Sequence, residues 1–204
     1  MTYQREIELV FDIASFQGAK PSSRIDLWYV GAGREHSPQL STAERDFFVQ
    51  CIRDHVRGLD QSQTQISGLL KAVSGAWRRA NQVAHQVRLL DSTFPTDVSR
   101  TSDASIAIRS FLLLSPLRTK VQVTLSLHAQ SALGQGGSFD IAVVPHAQVV
   151  YGEHFRPDKV VEFLAPRIGG RVVARGEGGE NSQTESWCDV LVELQERLLA
   201  RGKK

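Results

Sequence analysis

The sequence predicts an α+β chain: antiparallel sheets with helices packed on one face. Two periodicities and the composition predict it. Apolar and polar residues alternate through Ile7, Leu9, Phe11 and Ile13, through Ile25, Leu27 and Tyr29, and through Val121, Val123, Leu125 and Leu127. Period two with one wet face is the pattern of a half-buried strand. Elsewhere apolar residues recur at three-and-four spacing, the stripe of an amphipathic helix. The 204 residues are 41% hydrophobic and 23% charged, enough chain and enough apolar surface for a real core.

Composition also excludes classes. Lys and Arg total 24 against 22 Asp and Glu, a net of +2, so bulk charge makes no case for nucleic-acid binding. Two cysteines, Cys51 and Cys188, do not make a disulfide framework and fit a reducing compartment. No apolar run approaches the ~20 residues of a membrane span. The N-terminus, MTYQREIEL, carries Glu where a signal peptide would be apolar.

In chain order, Tyr3 to Ile13 reads as a strand; Arg5 breaks its alternation, but Glu6, Glu8 and Asp12 keep one face polar. Gln17 to Ser23 is a turn signal, and Ile25 to Tyr29 the hairpin partner. Gly31 to Pro38 is a loop. Ser41 and Glu44 have the spacing of a capping box, in which each side chain satisfies the other's backbone amide. Phe47, Phe48, Cys51, Ile52 and Val56 form the stripe of the next helix, and Gly58 fits its end. A longer helix is expected from about Asp60 to Leu90, with a stripe from Ile66 to Leu90, spanning roughly 45 Å at ~1.5 Å per residue. Pro95 stops it.

Ile106 to Leu114 is apolar on both faces and reads as a central strand. Ser115 to Arg118 turns the chain into the strand at 120–127. Phe139 to Val144 is the next strand. Pro145 demotes the residues after it, leaving Gln148 to Tyr151 as a short edge piece. Pro157 suits a first helical position, and Val160, Val161, Phe163, Leu164 and Ile168 make a stripe that Gly169 ends. Arg171 to Ser186 is a Gly/Glu/Ser-rich loop. Ser186 caps a last helix that buries Trp187, Val190, Leu191, Leu194, Leu198 and Leu199, with a basic end (Arg197, Arg201, Lys203, Lys204) suited to the helix dipole.

The chain carries no G-x-S-x-G, H-E-x-x-H, phosphate loop or C-x-x-C. Gly31 and Gly33 follow a strand but lack the third glycine of a dinucleotide fingerprint. Cys51 and His55 lie four apart on one helix, a zinc-compatible spacing, but two further ligands would be required; a buried Cys beside a partly exposed His is the simpler reading. His128, His146 and His154, with Asp140 and Glu153, could supply an acid/base pair, yet no nucleophile accompanies them. The cations Lys71, Arg78, Arg79 and Arg88 are spread around the long helix, the arrangement of a solvated face. Two features remain for binding. Gln148 to Tyr151 can offer an open edge to a partner strand. Trp28 falls on the polar face of its strand, where it packs on a neighbouring unit or meets a partner.

Several segments together carry a resemblance: REIELVFDIASF, SRIDLWY, FFVQCIRDHVR, LLDSTFPTDVSRTSDASIAI, VQVTLSLH and VVYGEHFRPDKVVEFLAPRIG. In this order, over nearly the whole chain, they resemble the C-terminal region of the Knl-type outer-kinetochore scaffold in its fungal (Spc-type) form. The resemblance implies tandem RWD-like units: residues 1–59 a first unit truncated at its N-terminus, residues 60–204 a second unit beginning with the long helix. Family members carry a coiled coil and a further strand before the position matching Met1. It further implies a non-catalytic scaffold module, in the nucleus at the kinetochore of the chromosomal centromere, supporting chromosome segregation and spindle-checkpoint signalling. The implied partners are the C-terminal peptide of a Mis/MIND linker-complex subunit and a coiled-coil kinetochore protein; no cofactor, metal, membrane or nucleic acid is expected. The peptide is expected between the sheet ending at Tyr151 and the helix from Pro157, with Val149, Tyr151, Phe155 and Val160 as contact residues because they combine an edge with an apolar pocket. Two other readings are weighed. A ubiquitin-conjugating-like enzyme would need a reactive cysteine in a loop beside the sheet, and a DNA-contacting module would use the basic long helix.

Overall fold

The structure is a computed structural model that describes residues 2–3, 7–10, 26–30, 40–58, 66–102, 104–131, 139–152, 155–172 and 185–201. It is α+β, with two antiparallel sheets. The smaller has the order β1 (Thr2–Tyr3), β2 (Ile7–Val10), β3 (Asp26–Tyr29). The larger has the order β4 (Thr96–Ser102), β5 (Ser105–Leu114), β6 (Thr119–Ser131), β7 (Phe139–Tyr151), β8 (Gly170–Arg171). Four helices accompany them among the described residues: α1 (Thr42–Gly58), α2 (Ile66–Thr93), α3 (Pro157–Leu164) and α4 (Trp187–Arg201).

The alternation of the first strands decides which side chains go inward. Ile7 pairs with Tyr29 and Leu9 with Leu27, and Ile7, Leu9 and Leu27 are buried while Trp28 points away from them, 54% exposed. The single strand expected over Tyr3 to Ile13 is instead two antiparallel ones, β1 and β2. The polar pair Arg5–Glu6 stands where the alternation fails, and no apolar face carries one strand through it. Phe11, Ile13, Ile25 and the expected turn and loop at 17–23 and 31–38 lie outside the described residues.

The capping box forms as the spacing requires. The Ser41 amide donates to Glu44 Oε2 at 2.8 Å, and the Glu44 amide donates to Ser41 Oγ at 3.3 Å. Glu44 is fully buried, and Arg88 of α2 donates to the same Oε2, so one carboxylate caps α1 and ties it to α2. Arg53 ties α1 to the small sheet, donating to the Leu27 carbonyl at 2.8 Å. Phe47, Phe48, Cys51, Ile52 and Val56 are all buried. On α2 the stripe from Leu69 to Leu90 is buried, and Trp77 meets Tyr29 with ring centres 6.1 Å apart. The two sheets therefore share one apolar core with these helices. The expected start of α2 at Asp60 lies outside the described residues.

In the larger sheet Val121, Val123, Leu125 and Leu127 are buried against the helices, whereas Gln122, Thr124 and Ser126 between them are half-buried and His128 exposed. Four features differ from expectation. Thr96 to Ser102 forms an edge strand, β4, hidden in the sequence because TDVSRTS has only one apolar residue; it is zipped to β5 by backbone pairing rather than by burial. β7 runs unbroken through Pro145, which is buried opposite Leu125; on an edge strand its missing N–H leaves the ladder intact. The stretch after Ile168, read as loop, contributes the short strand β8 beside Ala142 and Val143. The helix from Pro157 ends at Leu164 rather than at Ile168, with Pro166 just beyond. Residues 173–184 lie outside the described residues.

Candidate protein-docking surface

Two adjoining features present recognition chemistry: the outer edge of β7 and a groove between α3 and α4. β8 pairs with β7 only at Ala142 and Val143. Among the described residues the edge from Val144 to Tyr151 has no further strand beside it. Three apolar side chains stand exposed along it: Val144 (41%), Val150 (46%) and Tyr151 (55%). An open edge of this kind offers alternate N–H and C=O groups to an incoming strand.

Gly152 then turns the chain from β7 toward α3. Its φ is +104°, and a Cβ there would stand 2.4 Å from Thr119 Oγ1 and 2.6 Å from the Arg118 carbonyl oxygen, so only glycine fits. Arg156 follows in extended conformation at the helix N-cap, and Pro157 begins α3, where its fixed φ suits the first turn.

The groove between α3 and α4 has a volume of about 620 Å³. Its floor is Phe155, Val160, Phe163, Leu194 and Leu198, and its rim is Arg156, Lys159, Glu162, Arg197 and Arg201. Each helix contributes one face: Leu194, Arg197, Leu198 and Arg201 are three and four residues apart on α4, as are Arg156, Lys159, Val160 and Phe163 leading along α3. Part of the rim is held in place. The Arg167 and Arg197 guanidinium carbons lie 4.5 and 4.7 Å from the Phe163 ring centre, and both guanidinium groups donate to Glu193, Arg197 at 2.6 Å. The hydrogen bond from Arg167 holds the Glu193 carboxyl below its ordinary range against a smaller opposing effect of burial, with Arg197 adding to the shift.

The four residues expected to contact a peptide divide between these features. Phe155 and Val160 line the groove, Val160 as a buried floor residue and Phe155 half-buried. Tyr151 is exposed at the end of the edge. Val149 is half-buried, on the same side of β7 as the buried Val143 and Pro145. Sequence reading assigned the basic end of α4 to the helix dipole and overlooked the rim. The available signal was the interleaving of Arg197 and Arg201 with Leu194 and Leu198.

The other candidate chemistry does not assemble. Cys51 is buried, and its thiol is pushed up to about 12, first by burial and then by Asp54, so it stays protonated and a poor nucleophile. Cys188 is half-buried and donates to Thr93 Oγ1 at 3.2 Å. His55 is buried rather than partly exposed, packed on Phe139 with ring centres 5.7 Å apart. Burial, then Arg79, lowers its pKa, which Asp140 partly offsets. Among the described residues no three His, Cys, Asp or Glu side chains gather as a metal site. His128 and His146 share the wet face of the sheet, but Thr124 stands opposite His146, four residues from His128 on β6, so the two lie roughly 13 Å apart along the strands. His154 and Glu153 lie outside the described residues. Of the long-helix cations, Arg88 is committed to Glu44. Trp28 lines a second depression of about 460 Å³ with Tyr29, Arg45, Arg53 and Arg100.

No curated protein matches the chain, and no solved structure does. Residues 1–84 match the family model described as Knl1 RWD C-terminal domain, a stretch that runs through the expected boundary at 59/60 and ends within α2. The matched family is a non-catalytic kinetochore protein-interaction domain, and the α+β architecture with antiparallel sheets is compatible with an RWD-like fold. Over residues 1–84 the match supports a Knl-type kinetochore RWD region, the family to which this part of the chain is similar.

Proposed function

We propose that the chain is a non-catalytic kinetochore scaffold module that docks onto the Mis/MIND linker complex through a C-terminal peptide of one linker subunit. In this reading the module supports kinetochore assembly, chromosome segregation and checkpoint signalling from the nuclear kinetochore. The observation that carries it is the open edge of β7 from Val144 to Tyr151, which carries exposed apolar side chains and leads through Gly152 into the groove at Phe155 and Val160. A peptide laid along the edge gains backbone hydrogen bonds from the strand, and the exposed Val150 and Tyr151 supply side-chain contact. The proposal divides the chain into tandem RWD-like units: a first over residues 1–59 and a second over residues 60–204. The separation into two sheets favours that division, and the core shared through Trp77 sets the two units in close contact. A coiled-coil kinetochore protein is the second expected partner.

The test is binding of the full chain to the linker complex with and without its C-terminal tail. Deleting the tail is expected to abolish binding; equal binding without it overturns the peptide mode. Tyr151→Ala removes an exposed ring, so it should weaken binding while thermal unfolding stays nearly unchanged. Val149→Asp is a poorer probe, because it places a carboxylate on the inward side of β7 and lowers stability as well.

A further inference from the structure

We propose that the α3–α4 groove is an acceptor for an acidic protein segment bearing one or two large apolar side chains. This deepens the reading above, in which the peptide leads from the β7 edge into the groove at Phe155 and Val160, and it rests on that reading in that the occupant is a polypeptide. The groove combines an apolar floor with a rim of one dominant sign. Phe155, Val160, Phe163, Leu194 and Leu198 make the floor, and four cations against one carboxylate make the rim. The whole chain carries a net of only +2, so this concentration of positive charge is local. Lys159 is paired to Glu162 at 2.6 Å and Arg197 to Glu193, whereas Arg156 and Arg201 have no ion pair among the described residues. One stands at the N-cap of α3 and the other on α4, and both line the same groove.

The size and rigidity of the site define the occupant further. Leu194 to Arg201 covers about two helical turns, roughly 10 Å, so the site reads a short segment rather than a domain face. Stacking on Phe163 and bonding to Glu193 hold Arg197 and Arg167 in position before a ligand arrives, which reduces the side-chain entropy lost on binding. An apolar side chain would fill the floor between Phe155 and Leu198, and Asp or Glu residues on either side would meet Arg156 and Arg201. A basic or neutral segment would leave those charges unmatched.

The test uses the full chain and a panel of fluorescein-labelled 14-residue peptides. Each has Leu or Phe at two positions four apart and Glu at six of the others; a twin panel carries Gln in place of Glu. At least one Glu peptide is expected to bind, at least about tenfold tighter than its Gln twin at physiological salt, and to weaken as salt is added. Arg156→Glu with Arg201→Glu is expected to abolish this binding. Lys71→Glu with Arg78→Glu, on the exposed face of α2, makes the same net-charge change away from the groove and should leave most of it intact. Equal binding of the Gln twins, binding by no Glu peptide, or an equal loss in the α2 control overturns the inference. So does concentration-dependent dimerisation in sedimentation that is abolished by Arg156→Glu with Arg201→Glu, which would make a second copy the occupant. Failure of the linker tail to bind, with Glu-peptide binding intact, would sink the proposed function and spare the groove; the reverse result would do the opposite.

Discussion

Two Arg–Glu clusters in this molecule use the same functional groups in opposite ways. At the α1–α2 contact, Glu44 is fully buried, caps its own helix through the Ser41 amide and receives Arg88 from the neighbouring helix. At the α3–α4 contact, Glu193 lies on the surface between Arg167 and Arg197, and both guanidinium groups also stack on Phe163. The first cluster is inside the protein, where an unpaired charge would be costly, so its geometry is dictated by the fold. The second faces water, where an ion pair contributes little to stability and its charges remain available to another molecule. Burial, not residue type, separates a structural lock from a solvated ion-pair cluster.

The contrast is most sharply broken at Arg88. Arg88→Ala leaves the Glu44 carboxylate buried without its cation and is expected to lower unfolding free energy by about 3 kcal/mol, somewhat reduced by the partial exposure of Arg88. Urea denaturation measures it; a loss below about 1 kcal/mol would mean that water reaches Glu44 and that the lock is no different from the surface pair.

A smaller effect is expected from His55, a buried titratable group of α1. Its folded-state pKa lies below the ordinary histidine value. The unfolded chain therefore takes up the proton first, so the stability contribution is present above about pH 6.5 and is lost as pH falls through that value toward the lowered one. Urea midpoints at pH 7.5 and 5.5 should differ more for the parent chain than for His55→Leu. An equal difference in both would assign the acid sensitivity to other groups.

The smallest effect belongs to the surface cluster. Glu193→Ala should change the unfolding free energy far less than Arg88→Ala does, because its partners regain water. Its carboxyl should titrate below the ordinary glutamate range when followed by NMR, so the contribution of the pair is present above that range and fades as pH falls through the lowered value. A stability loss comparable to that of Arg88→Ala would erase the distinction between the two clusters.

Much of the first cluster was legible in the sequence, and much of the second was not. The spacing of Ser41 and Glu44 is a local signal, and the capping box it predicts is present. The stripes of α1, α2 and α4 likewise name most of their own buried residues, because a helix repeats its contacts every three to four positions; Leu199, expected inside, is only half-buried. That Arg88 also donates to Glu44 joins residues 44 apart in sequence, and no local pattern announces it. The groove rim draws on Arg156 at the N-cap of α3, Lys159 of α3, and Arg197 and Arg201 of α4. On its own, each pair reads as ordinary solvated charge. β4 falls partly within the β pattern that begins at Val98 but is not separable as a strand, for a related reason: an edge strand held by backbone pairing need not alternate in hydropathy, so TDVSRTS carries little trace of it.

The open edge marks the same division. Pro145 was correctly read as a residue that belongs at a sheet edge, since it lacks a donor N–H. That the strand continues past it to Tyr151, with no second flanking strand beyond Val143 among the described residues, results from the long pairing with β6 and the shortness of β8. By itself the sequence determined the α+β class, the helix stripes, the cap and the segments that resemble a kinetochore scaffold, because each depends on interactions within a few residues. Tertiary structure alone decided which charges are buried, which edge stays open and which cations share a groove, because those depend on side chains brought together from distant parts of the chain.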